Sequence, residues 1–237
     1  MPAEFTAGAF AEIAGYLAQL TSPTEVAAAA TTIGPDLLPG YAVSVMARRG
    51  PTLEPMAASS TAMTAADLAQ VEFDEGPALD TVRDTTPEVC LDLVRTDLWP
   101  QWRPVAGELG WRSWASFCLL DRRRRSLGVL ALAHSECQPL DAQSAYHLRV
   151  FAAHIAVALD TLRSEENLHE AVQAQQRVGQ ASGILMERYE LTADQAFSVL
   201  RRYSQDQNRK LRDVAAELLS TRELPPAPET TTSTPTG

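Results

Sequence analysis

The segment that decides how the later part of this chain folds is Gln180-Ala181-Ser182-Gly183-Ile184-Leu185-Met186-Glu187-Arg188. It lies in a stretch without proline, between Pro139 and Pro225, so no residue in it forces a helix to break. Upstream, apolar residues recur at steps of three and four, at Leu148, Phe151, Ile155, Leu159 and Leu162. This spacing predicts one helix from about Asp141 to Tyr189. Such a length without internal caps indicates a coiled-coil partner, most simply in a homodimer.

Two shorter helices are predicted after this long one. Thr192 is expected to cap the first of them, with Gln195 at the reciprocal capping position, and the other runs from about Lys210 to Thr221. We expect a three-helix bundle with an apolar core of Ile184, Leu185, Phe197, Leu200, Leu211 and Val214. A glycine such as Gly183 costs a helix about 1 kcal/mol relative to alanine, so it needs a packing or functional reason.

Four short motifs occur in this region in a fixed order. They are Gln-Ala-x-Gly-Ile-Leu-Met from Gln180, Ala-Phe-x-x-Leu-Arg from Ala196, Ser-x-x-x-Asn from Ser204 and Lys-Leu-x-x-Val-Ala from Lys210. With them, residues 165–222 resemble the ANTAR domain, the small helical RNA-binding output module of bacterial antitermination regulators. The resemblance implies a protein that binds RNA stem-loops in nascent transcripts and needs no catalytic residue.

The motif positions that the resemblance assigns to RNA are mostly polar or small. Arginine and lysine can hold phosphates, whereas asparagine, serine and glutamine can reach base edges in an opened loop. For each, a solvated helix face or a cap is the alternative, and Ser204 and Asn208 in particular can close the turn between two helices. The candidate RNA-binding residues are Gln180, Ala181, Ser182, Gly183, Arg201, Ser204, Asn208, Arg209, Lys210 and Arg212.

Two residues depart from the family pattern. The family commonly has a basic residue where this chain has Gln175, and a lysine where it has Ser182. Each replacement removes a phosphate contact. The alternative hypothesis is therefore a signalling or scaffold protein whose RNA binding has degenerated.

The region before residue 165 combines helices and strands. Helices are predicted at Phe10–Leu20, from the cap Ser22 to about Thr32, and near Ala65–Gln70, with a loop at Glu75-Gly76-Pro77. Strands are predicted at Ala42–Arg48, Pro55–Ser59, Val89–Val94, Ser116–Leu120 and Leu127–His134, the last two joined by Asp121-Arg122-Arg123-Arg124-Arg125. We expect an α/β sandwich with a central, mainly antiparallel sheet, and hence an α+β protein overall.

Several segments of this region resemble a GAF domain, over residues 5–164. They include Glu75-Gly76-Pro77-Ala78-Leu79-Asp80-x-Val82-Arg83, Asp97-Leu98-Trp99-Pro100 and Leu127-Gly128-Val129-Leu130. The resemblance implies a sensor that binds a small molecule or receives a protein signal. Four tryptophans either line an apolar ligand pocket or pack between a loop and the sheet: Trp99, Trp102, Trp111 and Trp114.

The sequence points to no cofactor, metal or disulfide. Cys90, Cys118 and Cys137 are few and widely spaced, which favours buried thiols in a reducing compartment. His147 and His154 share a helix face but lack the His-Glu-x-x-His spacing of a metal site. The run of four arginines at 122–125 is read as a solvated hairpin, with a phosphate-binding tip as the alternative.

Charge is unevenly distributed along the chain, whose net charge is −10. Residues 1–167 hold 12 Lys/Arg and 21 Asp/Glu, whereas residues 168–222 hold 8 and 7. Because the second region is almost neutral, RNA recognition should rest on shape and a few contacts. No segment predicts a membrane span or a secretory signal, so a cytoplasmic protein is expected. The proline- and threonine-rich tail, 223–237, is predicted to be disordered.

Overall fold

Two units make up the chain, Met1–Arg163 and Ser164–Gly237. The computed structural model describes residues 7–90, 92–137 and 140–223. The tail that was predicted to be disordered lies outside the described residues, apart from Glu223. In the described part of the chain, no helix has both the length and the apolar character needed to cross a membrane.

The first unit is built on a five-stranded sheet. In chain order its elements are α1 (Ala7–Leu17), α2 (Pro23–Leu37), β1 (Ala42–Arg49), β2 (Thr52–Ala58), α3 (Thr61–Phe73), α4 (Pro77–Asp84), β3 (Glu88–Cys90), α5 (Trp102–Glu108), β4 (Ser113–Leu120) and β5 (Ser126–His134). The strand order is β2-β1-β5-β4-β3, and all four pairings are antiparallel. The predicted α+β fold with a central antiparallel sheet is confirmed.

A hydrophobic core lies on each face of this sheet. One core joins α1, α2 and the first part of the next helix, α6 (Ala142–Tyr189), to inward-facing residues such as Phe117 and Leu130. The other joins α3, α4 and α5 to Met46, Val129 and Trp114. Successive residues of β5 point to opposite faces of the sheet, and both faces are covered by helices. Alternate side chains of β5 therefore belong to different cores.

Local signals set most of the helix boundaries. Ser22 and Glu25 form a complete capping box at the start of α2, as predicted. However, α2 continues through Gly34 and Pro35 to Leu37 rather than ending near Thr32, and α1 ends at Leu17 instead of Leu20. A side chain at position 34 would meet Val43 at 2.7 Å, so glycine there permits a close approach of α2 to β1.

The second unit contains the end of α6, then α7 (Ala193–Asp206) and α8 (Leu211–Thr221). The long helix and its end at Tyr189 match the prediction from spacing. Thr192 and Gln195 form the expected capping box at the start of α7. The three helices enclose a small core of Ala181, Leu185, Ala196, Leu200, Val214, Ala215 and Leu218.

Candidate nucleic-acid interface

The turn between α7 and α8 collects most of the polar residues that the sequence assigned to RNA. Asn208 has a φ of 49°, the left-handed conformation in which asparagine is tolerated. Its N–H donates to Gln205 O at 3.1 Å, and the N–H of Arg209 donates to Ser204 O at 3.0 Å. This pair of bonds is a Schellman motif, which satisfies the last carbonyls of α7.

Ser204 secures the same turn with its side chain. Its hydroxyl donates to the carbonyl oxygen of Arg209 at 2.6 Å. Ser204 and the backbone of Asn208 therefore shape this turn, so the structure gives each of them a role that does not involve RNA.

The basic residues around the turn differ in what they contact. Arg209 pairs with Glu217 at 2.5 Å, and Arg212 lies 3.6 Å from Glu170 and 3.8 Å from Asp213. Arg201 and Lys210 are exposed and form no ion pair with any residue that the structure describes. These two cations are the ones whose charge is available to an external phosphate.

The motif on α6 is divided between the inside and the outside of the bundle. Ala181 and Ser182 are buried. Gln180 and Gly183 line an open groove of about 500 Å³ between α6 and the end of α8, with Ile184, Glu187, Leu219 and Arg222. Since successive helix residues are rotated by about 100°, neighbours in this motif face different surroundings.

Gly183 has no neighbour in its own chain that requires a glycine. A Cβ placed on it would meet no atom within 4 Å, and the same holds for Gly179. The packing of the described residues therefore supplies no reason for the helix penalty at either glycine.

Phe197 corrects the predicted core. Leu185, Leu200 and Val214 are buried as expected, but the Phe197 side chain is 43% exposed. It lines a shallow groove of about 280 Å³ with Ala174, Gln175, Val178, Leu211 and Arg212. On α7, Phe197 is rotated about 100° from the buried Ala196, which places it at the edge of the apolar face rather than at its centre. An aromatic ring and a guanidinium group are both groups on which a nucleobase can stack.

A buried polar cluster in the first unit was not anticipated from the sequence. Asp67 and Gln70 on α3, Ser44 on β1 and Thr81 on α4 are all fully buried. Both carboxylate oxygens of Asp67, Gln70 Nε2, and the two hydroxyl oxygens lack a hydrogen bond of normal geometry to any described residue. The available signal was helical spacing, since Asp67 and Gln70 continue the inward positions Met63 and Ala66.

Burial dominates the chemistry of this cluster. It raises the pKa of Asp67 from 3.8 to about 7, and the nearby Ser44 hydroxyl opposes the shift only in part. A buried carboxyl group that keeps its proton can donate a hydrogen bond. Gln70 is held by its other amide atom, because Oε1 accepts from the N–H of Ala78 at 2.8 Å.

The four tryptophans pack in or against the hydrophobic core of the first unit. Trp99 and Trp102 pack edge to face at 5.7 Å, and Trp102 and Trp114 do so at 5.1 Å. These three are buried in the core beneath α3 to α5, and Trp111 packs against the same core. This packing agrees with the alternative of contacts between a loop and the sheet, and the ligand pocket at the tryptophans stays a prediction.

The two units correspond to two known families of domain. A family model described as the GAF domain matches residues 21–160, and one described as the ANTAR domain matches residues 166–219. The chain belongs to the GAF domain family and also carries an ANTAR domain. An ANTAR domain indicates an RNA-binding regulator of transcription antitermination, and a GAF domain indicates a sensor in signal transduction.

Solved structures with the same fold come from several classes of protein. The GAF domain of an Acinetobacter phosphoenolpyruvate-protein phosphotransferase is 12% identical, with a TM-score of 0.56 over 68% of this chain and 96% of that one. A GAF domain of the same kind of enzyme from Coxiella burnetii is 16% identical, with a TM-score of 0.54 over 67% and 94%.

A free methionine-R-sulfoxide reductase from Neisseria meningitidis is also similar, at 16% identity and a TM-score of 0.53 over 66% of this chain and 89% of that one. At such identities the likeness shows the fold alone. No curated protein matches the sequence.

Proposed function

We propose that this protein is a homodimeric antitermination regulator whose GAF domain senses a signal and whose ANTAR domain binds RNA stem-loops in nascent transcripts. Binding would disfavour a terminator hairpin and so allow transcription to continue. The observation that carries the proposal is a pair of cations, Arg201 on α7 and Lys210 at the start of α8, which are exposed and form no ion pair with a described residue. The groove beside Phe197 and Arg212 adds a surface on which an unstacked base can lie.

Few phosphate contacts fit this surface. Arg209 and Arg212 already have acidic partners, so each would have to exchange a carboxylate for a phosphate. With about two free cations, a single-stranded loop should show a salt dependence with a slope of roughly −1.4 on a log–log plot. Specificity then depends on stacking and base-edge contacts rather than on charge.

The sensing role is supported by the buried polar cluster of Ser44, Asp67, Gln70 and Thr81. A fully buried polar group without a hydrogen bond costs about 1–3 kcal/mol, so a bound small polar molecule or ordered water would stabilise the domain. We infer a ligand with hydrogen-bonding groups, small enough to fit between the sheet and α3. A protein signal is the alternative input.

RNA binding is tested by fluorescence anisotropy of the full chain with a paired stem-loop RNA at low salt. Arg201→Gln and Lys210→Gln should each weaken binding about fivefold and reduce the salt slope by about 0.7, because each removes one phosphate contact. Arg202→Gln is the matched control, since Arg202 is already engaged with Asp206 at 3.5 Å. An unchanged affinity in both test variants would remove the turn from the interface, and absence of any binding by the unmodified chain would end the proposal.

The competing function is a signalling scaffold with degenerate RNA binding. Gln175 and Ser182 favour it, because the resembled family commonly has basic residues at both positions. The two differ in the structure: Gln175 is exposed, whereas Ser182 is buried. Gln175→Arg is therefore the cleaner test, since its guanidinium reaches solvent beside Arg212. A gain of tenfold or more in RNA affinity supports the scaffold hypothesis, and an unchanged affinity supports binding through the other contacts.

A further inference from the structure

The four arginines between β4 and β5 have no part in the function proposed above. Their turn is ordered around Asp121, whose carboxylate accepts hydrogen bonds from the N–H groups of Arg123 and Arg125, both at 2.8 Å. It also accepts one from Arg125 Nε at 2.7 Å. The backbone N–H of Arg125 contributes most to holding the pKa of Asp121 below its usual value. The turn is therefore a fixed structure and not merely a solvated hairpin.

Beside this turn lies a cleft of about 590 Å³ between the outer part of β4 and α6. Its floor is apolar, formed by the buried Phe117 together with Ala152 and Ala156. The alanines leave space where α6 elsewhere carries bulky side chains such as Phe151 and Ile155. The volume falls within the range of about 300–1,000 Å³ that small-molecule sites occupy.

Three arginines surround this apolar floor. Arg122 reaches across to α6, where its Nε lies 2.8 Å from Asp160 Oδ2. Arg124 and Arg149 also line the cleft, and the structure describes no acidic partner for either of them. Two uncompensated guanidinium groups above an apolar floor complement a molecule with one anionic group and an apolar body.

We propose that this cleft binds a small organic anion from solution. Arg124 and Arg149 hold its carboxylate or phosphate, while its chain or ring lies on Phe117 and the alanines. The floor belongs to the core on the α6 face of the sheet, whereas the Asp67 cluster belongs to the α3 face. The proposed site is therefore distinct from the sensing cluster and does not depend on it.

Occupancy of the cleft is measured directly by isothermal titration calorimetry of the full chain with decanoate, the anionic probe. Decanoate should bind at one site per chain, because its carboxylate can pair with Arg124 and Arg149 while its hydrocarbon chain lies on the apolar floor. 1-Decanol, which has the same hydrocarbon chain and no charge, should bind at least fivefold more weakly.

Variants separate this site from general binding of an amphiphile. Arg149→Gln should raise the dissociation constant for decanoate about tenfold, as expected for one lost charge-assisted contact. Arg95→Gln should change nothing, because Arg95 is 87% exposed and lies outside the cleft. Ala153→Phe, at an exposed lining position, should abolish binding by filling the cleft. Equal affinity for 1-decanol, an unchanged affinity in Arg149→Gln, or no binding of decanoate would overturn the proposal.

Discussion

At the scale of single residues, Asp67 makes stability depend on pH in an unusual direction. Its pKa is about 7 in the folded chain against 3.8 for an unburied carboxyl. As the pH rises from about 4 to 7, the unfolded chain loses this proton while the folded chain keeps it. The free energy of unfolding therefore falls across that window and the effect levels off above pH 7.

Asp67→Asn should abolish this contribution. Between pH 4.5 and pH 8 the parent should lose on the order of 3 kcal/mol of unfolding free energy that the variant does not lose. Urea titrations at both pH values measure it. Asp84→Asn, at an exposed position, is the control and should show no such trend; a constant difference for Asp67→Asn would mean that its carboxyl is charged in the folded chain.

Gly183 allows stability and binding to be separated in one substitution. Because nothing lies within 4 Å of a Cβ at this position, Gly183→Ala should raise the free energy of unfolding by about 1 kcal/mol. If RNA approaches the helix backbone here, the same change should weaken RNA binding severalfold. Gly179→Ala, which is equally open, should give the stability gain alone. If both variants keep the affinity of the parent chain, RNA does not approach the helix backbone closely at Gly183.

At the scale of elements, two substitutions of Asn208 can distinguish a structural role in the α7–α8 turn from a role in RNA recognition. Asn208→Gly keeps the left-handed backbone and removes the side chain, whereas Asn208→Ala disfavours that backbone as well. We expect Asn208→Ala to lower the free energy of unfolding by about 1 kcal/mol and Asn208→Gly to leave it within about 0.5 kcal/mol. In the RNA anisotropy assay, retained affinity in Asn208→Gly assigns Asn208 to the turn. A loss in both variants assigns its side chain to RNA.

Elements with strong local signals could be predicted from the sequence, and those that depend on tertiary packing could not. The capping boxes at Ser22 and Thr192 and the stripe of α6 are local patterns, and the structure has them. The short α5 is not predicted because its seven residues include Pro104 and are too few to show a repeated apolar spacing. Its place is set instead by Trp102, whose Nε1–H donates to the carbonyl of Ala66 at 2.9 Å.

The candidate site was predictable only in part, for a related reason. Motif order identified the ANTAR region, but it did not distinguish the buried Ser182 from the exposed Gly183 next to it. Ion pairs such as Arg212 with Glu170 join residues far apart in the sequence, so the availability of each cation could not be read from charge runs. The contact of Asp67 with Ser44 likewise joins two separate elements, α3 and β1.

At the scale of the whole molecule, the exposed apolar residues of α6 support the proposed homodimer. Leu168 and Val172 are 66% and 47% exposed and lie one turn apart, and Met186 is five turns beyond Leu168 at about 3.6 residues per turn. Leu168→Glu should raise the dimer dissociation constant at least tenfold, because it places a charge in an apolar seam. Sedimentation velocity measures it.

Gln173→Glu is the control for the charge itself, since Gln173 is exposed on a different side of α6. It should leave the dissociation constant unchanged. A parent chain that is monomeric at micromolar concentration, or an equal effect of both substitutions, would contradict a dimer formed through this seam.

The pairing of β1 with β5 has a consequence for how the sheet folds. β4 and β5 follow one another through a five-residue turn that Asp121 organises, so their hairpin closes a short loop. By contrast, Ala42 pairs with Ala133 and Ala47 with Gly128, which requires most of the first unit to be enclosed in one loop. Since closing long loops costs more entropy and slows folding, the hairpin should form early and β1 should join it late. Pairing of β1 with β5 would then be the slow step. Its rate would determine how long the unpaired edge of β5 can pair with another chain and aggregate.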